Sequence, residues 1–183
     1  MSLKIKIIIL SSIVFSLLPN AYAGSAAKHV DSDTAIQNAV LFYINDYRQK
    51  HGLSKLIMDD HMVIQARQHS LDMANHRMHF GHQDFGKRIA KLRSQIKNTG
   101  GAAENVAYNY KTAQIVVSQW VKSPGHRRNI VGNYNLTGIG IARDKQGKLY
   151  YTQIFLQTGK SPRSHAVRRP YIGVPFFGIK RQS

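Results

Sequence analysis

The apolar positions of this chain change period several times along its length, and each change marks an element. Ile36, Val40, Tyr43, Ile44 and Tyr47 recur at three- and four-residue spacing, which puts them on one helical face. Thr34 followed by Gln37 has the form of a capping box that opens this helix, and Gly52 closes it. Met62, Val63, Ala66, Ser70, Met73 and Ala74 trace a second stripe. They predict a helix over 60–76 with His61, Gln65, Gln68 and Asp72 mostly outward. From 87 to 97, Ile89, Ala90, Leu92 and Ile96 are set among five basic residues and no acid, which reads as a helix with a solvated basic face.

After the Gly100-Gly101 break the period falls to two. Glu104, Val106, Tyr108 and Tyr110 alternate with smaller residues, as in a half-buried strand with Glu104 at its entrance. Helical spacing returns over 112–122, where Ala113, Val116, Val117, Trp120 and Val121 form the buried stripe, so Trp120 reads as core. Residues 138–142 and 148–155 flank Asp144-Lys145-Gln146-Gly147, the pattern of a hairpin. Pattern alone predicts mixed α and β structure in one domain.

The two ends read differently from this middle. Lys4 and Lys6 precede an apolar run from Ile7 to Leu18, and Ala21-Tyr22-Ala23 follows with small residues at the cleavage spacing, so 1–23 reads as a secretory signal peptide. The run is about 12 residues where a membrane span needs about 20, which disfavours an uncleaved anchor. Residues 24–33 are small and polar, a linker, and 34–159 form the domain. The tail, 160–183, joins basic clusters around Pro170-Tyr171-Ile172-Gly173-Val174-Pro175-Phe176-Phe177-Gly178-Ile179, a stretch too broken by proline and glycine for a regular helix. It reads either as a peripheral membrane contact, basic residues on anionic lipid with shallow aromatic insertion, or as a segment that folds back on the domain or stays disordered.

Charge narrows the partners. With 26 Lys and Arg against 9 Asp and Glu the formal charge is +17, and removing residues 1–23 with their two lysines leaves +15. Such a field concentrates anionic partners, although solubility alone also accounts for it. No nucleic-acid-binding module is visible, which makes nucleic acid the least favoured anion. The chain has no cysteine, so disulfides, cysteine nucleophiles and thiolate metal sites are excluded and stability rests on packing.

The candidate chemistry gathers in two stretches. Glu104 is the only glutamate and Trp120 the only tryptophan. Pro124 ends the helix carrying Trp120 and opens a new turn with Ser123 as N-cap, which fixes the angle of His126. His82, after Phe80-Gly81, completes a polar cluster with Glu104 and His126. His76, His79 and His82 are spaced by three, which on a continuous helix would invite a metal reading, but Gly81 weakens that continuity, and the bland reading of His76 and His79 is as exposed or capping residues. There is no His-Glu-x-x-His helix and no Gly-x-Ser-x-Gly elbow, and a glycosidase pair would need Glu104 with one of eight scattered aspartates. The capping role explains Ser123, and the sequence shows no acid to orient His126.

Gly81-His82, Glu104-Asn105-Val106-Ala107 and residues 120–130, with the form Ser-Pro-Gly-His-Arg-x-Asn-Ile, occur in the order and spacing of the CAP superfamily. These proteins are also called SCP domains. The chain resembles the bacterial members over about residues 34–159, and Asn45, Arg48, Gly52 and Leu53 match the family's first helix. The acidic residue, glycine and arginine that follow the first histidine are compressed here to Asp84, Gly86 and Arg88. The resemblance implies a three-layer α/β/α sandwich around a small mixed, largely antiparallel sheet. It also implies a central cavity of two histidines and two acidic residues that holds a divalent cation in some members. His82, Glu104 and His126 match three of these, and the fourth position is Ser123, so zinc or another divalent cation is the implied cofactor.

The function expected is that of an exported, periplasmic or secreted monomer that binds an anionic or lipidic ligand of the envelope or the extracellular space without catalysis. A metal-dependent hydrolase, of peptidase type, is the alternative.

Overall fold

The computed structural model describes residues 21–159, with side chains from Ser32 onward. The tail and all but the last three residues of the expected signal peptide lie outside the described residues. The chain runs α1 (Ala21–Lys50), β1 (Ile57–Met58), α2 (Asp60–Ala74), α3 (Phe85–Gln95), β2 (Thr99–Tyr108), α4 (Ala113–Lys122), α5 (Pro124–Ile130), β3 (Leu136–Arg143) and β4 (Leu149–Thr158). The four strands form one sheet in the order β1-β3-β4-β2, in which only β1 and β3 are parallel.

Alternation along the strands builds the three layers. The odd positions Ile139, Ile141, Tyr151 and Phe155 join Val40 and Ile44 of α1 and Trp120 of α4 in the larger core. The even positions Ile154 and Leu156 pack with Met62 and Ala66 of α2 and Ile89 and Leu92 of α3. Two glycines of β3 let α2 sit close to the sheet. A Cβ on Gly138 would lie 2.2 Å from the carbonyl carbon of Met62, and one on Gly140 would lie 2.1 Å from that of Ala66.

Several sequence expectations shift. α1 is helical from Ala21, so Thr34 lies within the helix and not at its cap, and 24–33 is helical where a linker was expected. The alanines of this stretch favour helix, and Asp33 is tied to β3 through Arg143 Nε, 3.0 Å from its Oδ1. Asp59 caps α2 by accepting from the Met62 N–H, and the helix ends at Ala74, because His76 turns to φ 55°. Gln65, read as outward, is buried. β2 begins at Thr99, which moves Glu104 from the strand entrance to its middle. Ser123 stands at the N-cap of α5 with Pro124 next, as the sequence implies, but its hydroxyl makes no cap bond.

Candidate binding cleft at the edge of β2

β2 is an edge strand, and its neighbouring residues Glu104 and Asn105 serve opposite faces of the sheet. On the α2/α3 side, the Glu104 carboxylate is 2% exposed and held by the Arg88 guanidinium, 8% exposed. Arg88 Nε donates to Oε2 at 3.0 Å and Nη2 to Oε1 at 2.7 Å, while Nη1 donates to the Gln83 carbonyl at 2.7 Å. His82 Nδ1 lies 3.0 Å from Glu104 Oε1. An ionised carboxylate only accepts, so Nδ1 carries the proton and Nε2 is left as the acceptor nitrogen.

His69 completes this side from beneath. It is 1% exposed, and its Nε2 donates to the Gly81 carbonyl at 2.9 Å while standing 3.9 Å from Glu104 Oε1. Gly81 has φ 143°, a backbone open to glycine, so His69 pins the residue that aims His82. Burial pushes the His69 pKa below its ordinary 6.5, the Arg88 charge adds to this, and Glu104 opposes it.

On the other face, Asn105 Nδ2 donates to the His126 carbonyl at 3.2 Å. Asn129 Nδ2 donates to Asn105 Oδ1 at 2.9 Å and to the Glu104 carbonyl at 3.2 Å. Trp120 Nε1 donates to the Val106 carbonyl at 3.3 Å. Asn109 N–H bonds β4, so the odd positions of β2 face inward and the carbonyls of Glu104 and Val106 face out. Asn129 and Trp120 thus cover the open edge of the sheet. Burial, and then the neighbouring His82, push the His126 pKa below 6.5. Its Nδ1 is buried without a partner.

A cleft of about 620 Å³ wraps this edge, lined by His82, Ser123, His126, Trp120, Val106 and Phe80 together with neighbouring residues. His82, Ser123 and His126 line this one cleft, while Glu104, which the sequence reading grouped with them, stands behind His82 and outside the lining. Trp120 is both core and cleft wall. His76 and His79 line a different, adjoining cleft. Sequence reasoning missed His69 and assigned Arg88 to a solvated face. His69 falls on the α2 stripe between Met62, Ala66 and Met73, a signal that was readable, whereas the contact of Arg88 with Glu104 left none in the local pattern.

The donors do not fit a zinc site that includes Glu104. Both of its oxygens are bonded to a buried guanidinium, so a cation there would have to displace Arg88. That leaves two imidazoles, and among the described residues no three His, Asp or Glu side chains converge on a metal position. Catalytic zinc takes three protein ligands.

The profile of the cysteine-rich secretory protein (CAP) family matches residues 41–155. The chain belongs to this family, as a bacterial member with the α/β/α fold. It is 35% identical over 127 residues to the Bacillus subtilis (strain 168) protein YkwD, covering 68% of this chain and 48% of that one, so it spans about half the length of this relative. An extracellular SCP-domain protein of Bacillus anthracis str. Ames superposes with a TM-score of 0.58 at 24% identity, covering 69% of this chain and 41% of that chain. An outer surface protein of Borrelia burgdorferi has a TM-score of 0.58 at 20% identity, covering 67% of this chain and 92% of that chain. No described helix is long and apolar enough to cross a membrane.

Proposed function

We propose that this protein is exported and acts by binding an amphipathic, anionic ligand of the cell envelope or the extracellular space in the β2-edge cleft. One observation carries this reading: Arg88 neutralises the sole glutamate, so the cleft presents an apolar wall and two imidazoles with no unpaired negative charge. Such a surface accepts an apolar body, and no carboxylate in its lining repels the anionic group that the strongly basic chain attracts. The extracellular and outer-surface relatives support export.

The chain has a single tryptophan, and it forms a wall of this cleft, so its emission reports occupancy directly. Titration with vesicles of anionic phospholipid should give a saturable shift in Trp120 fluorescence that is reduced in His126→Ala and absent with zwitterionic vesicles. No shift with either vesicle and with acidic envelope polymers would remove the binding reading.

A second reading rests on His82. A carboxylate-oriented imidazole with the uncapped Ser123 hydroxyl in the same cleft has parts that a hydrolase uses, without a metal in the nucleophile's activation. Turnover of a peptide library that survives chelator and disappears in both His82→Ala and Ser123→Ala would establish it over the binder.

A further inference from the structure

A second cleft, of about 680 Å³, adjoins the first, and the two share Phe80 and Tyr108 as their common wall. This is within the size range of small-ligand sites. Phe80 is 55% exposed, a large apolar ring left in solvent at the crest between two cavities. Its ring centroid lies 6.2 Å from that of Tyr108, which lies 4.7 Å from that of Tyr150, so three aromatic rings run in a row. Lys148 stands beside the middle ring of the row, outside the lining of the cleft, with its ammonium 5.8 Å from the centre of the Tyr108 ring.

The chemistry of this row differs from that of a core. Planar or hydrogen-bonding polar groups surround the rings: Gln83, His76, His79, and Arg77, which Asp72 holds by a 2.7 Å ion pair. Among the described residues no acidic side chain lines the cleft. An exposed ring offers its electron-rich face to polarised C–H groups, and rigid polar groups beside it meet hydroxyls. The phenol hydroxyls of Tyr108 and Tyr150 beside an ammonium are donors suited to a carboxylate or phosphate.

We propose that the second cleft is a saccharide site, in which a sugar ring lies on Phe80 and an anionic substituent of the sugar is bound by Lys148 with the Tyr108 hydroxyl. The site needs nothing of the ligand in the β2-edge cleft, so it stands or falls separately from the binding function proposed above. It also gives His76 and His79 a place, as polar walls. Because the two clefts meet at Phe80, a chain of several sugars can pass from one into the other.

Calorimetric titration of the full mature chain with trigalacturonate, glucose 6-phosphate, uncharged chitotriose and polyglutamate tests this. Trigalacturonate or glucose 6-phosphate, the carboxylate and phosphate sources of the anion, should bind saturably and better than chitotriose. Phe80→Ala and Lys148→Gln should each weaken that binding by about ten-fold, Phe80→Tyr should preserve it, and Ile64→Ala, an exposed apolar residue elsewhere, should leave it unchanged. Melting temperatures equal to that of the parent establish that the exposed-site variants are folded. The proposal fails if neither acidic saccharide binds at millimolar concentration. It also fails if Phe80→Ala binds them as the parent does, or if polyglutamate binds with the same dependence on Phe80.

Discussion

Arg88 closes over Glu104 with two donors, at 3.0 and 2.7 Å, so that the one glutamate of a strongly basic protein is buried as half of an ion pair. The pair is the floor on which His82 stands. Its energetic character follows from burial: the two charges compensate each other only while both are present.

Removing either partner is therefore expected to cost more than an ordinary hydrogen bond. Glu104→Ala and Arg88→Ala should each destabilise the fold by about 3–5 kcal/mol in urea unfolding, because each strands a buried charge. The apolar double replacement Arg88→Met with Glu104→Leu should recover much of that loss, since it strands neither. Single variants as stable as the parent would show that water reaches the pair.

Gly140 separates two explanations of a strand glycine. Its Cβ would fall 2.1 Å from the Ala66 backbone, so Gly140→Ala should cost about 1–3 kcal/mol or more by pushing α2 off the sheet. Gly86, within α3 and open to solvent, is the control, and Gly86→Ala should be neutral or stabilise by up to about 1 kcal/mol. Equal effects at the two sites would mean that backbone entropy, and not contact, sets the result.

Acid should weaken the fold before the carboxylates titrate. His69 and His126 have folded pKa values below 6.5, so the unfolded chain binds protons that the folded chain refuses. Their contribution is fully present above the unfolded value and is lost as pH falls from about 6.5 toward the lowered values. Urea midpoints at pH 7.5 and about pH 5 should show the drop, and His69→Gln, which can still donate to Gly81, should reduce it. A midpoint that rises on acidification would contradict the burial of both rings.

Zinc should have little purchase. With Glu104 committed to Arg88, an equimolar addition to micromolar protein should leave the melting temperature unchanged, and His82→Ala with His126→Ala should behave as the parent does. A stabilisation that disappears in those two variants would place a cation between the imidazoles.

How far the sequence could be read depended on how local each cause was. The α2 and α4 stripes, the Asp144–Gly147 turn and the Ser123-Pro124 start of α5 rest on residues close along the chain, and each is present, although α2 stops two residues short and turns Gln65 inward. The approach of His82 and His126 to one cleft was accessible through family motifs and not through periodicity. β1 left no pattern because it is two residues long and exists only by pairing with β3. Arg88 looked like one more cation on a basic helix, since its partner is on a strand and no local spacing encodes that meeting. Glu104 was placed at the start of its strand because Gly100 and Gly101 looked like a break, yet both are carried inside β2.

The bonds from Trp120 and Asn129 to the outer carbonyls of β2 also bear on how this molecule behaves in a crowd. An uncovered strand edge is a template for another copy of itself, and these two side chains occupy the acceptors such a copy would need. The wall that faces a ligand is therefore also the wall that keeps neighbouring molecules apart. Removing the indole would expose a hungry backbone as well as enlarge the cleft, turning a ligand-binding defect into self-association. Sedimentation of Trp120→Ala at rising concentration would register this as a shift to larger species, with the exposed Phe80→Ala as the monomeric comparison.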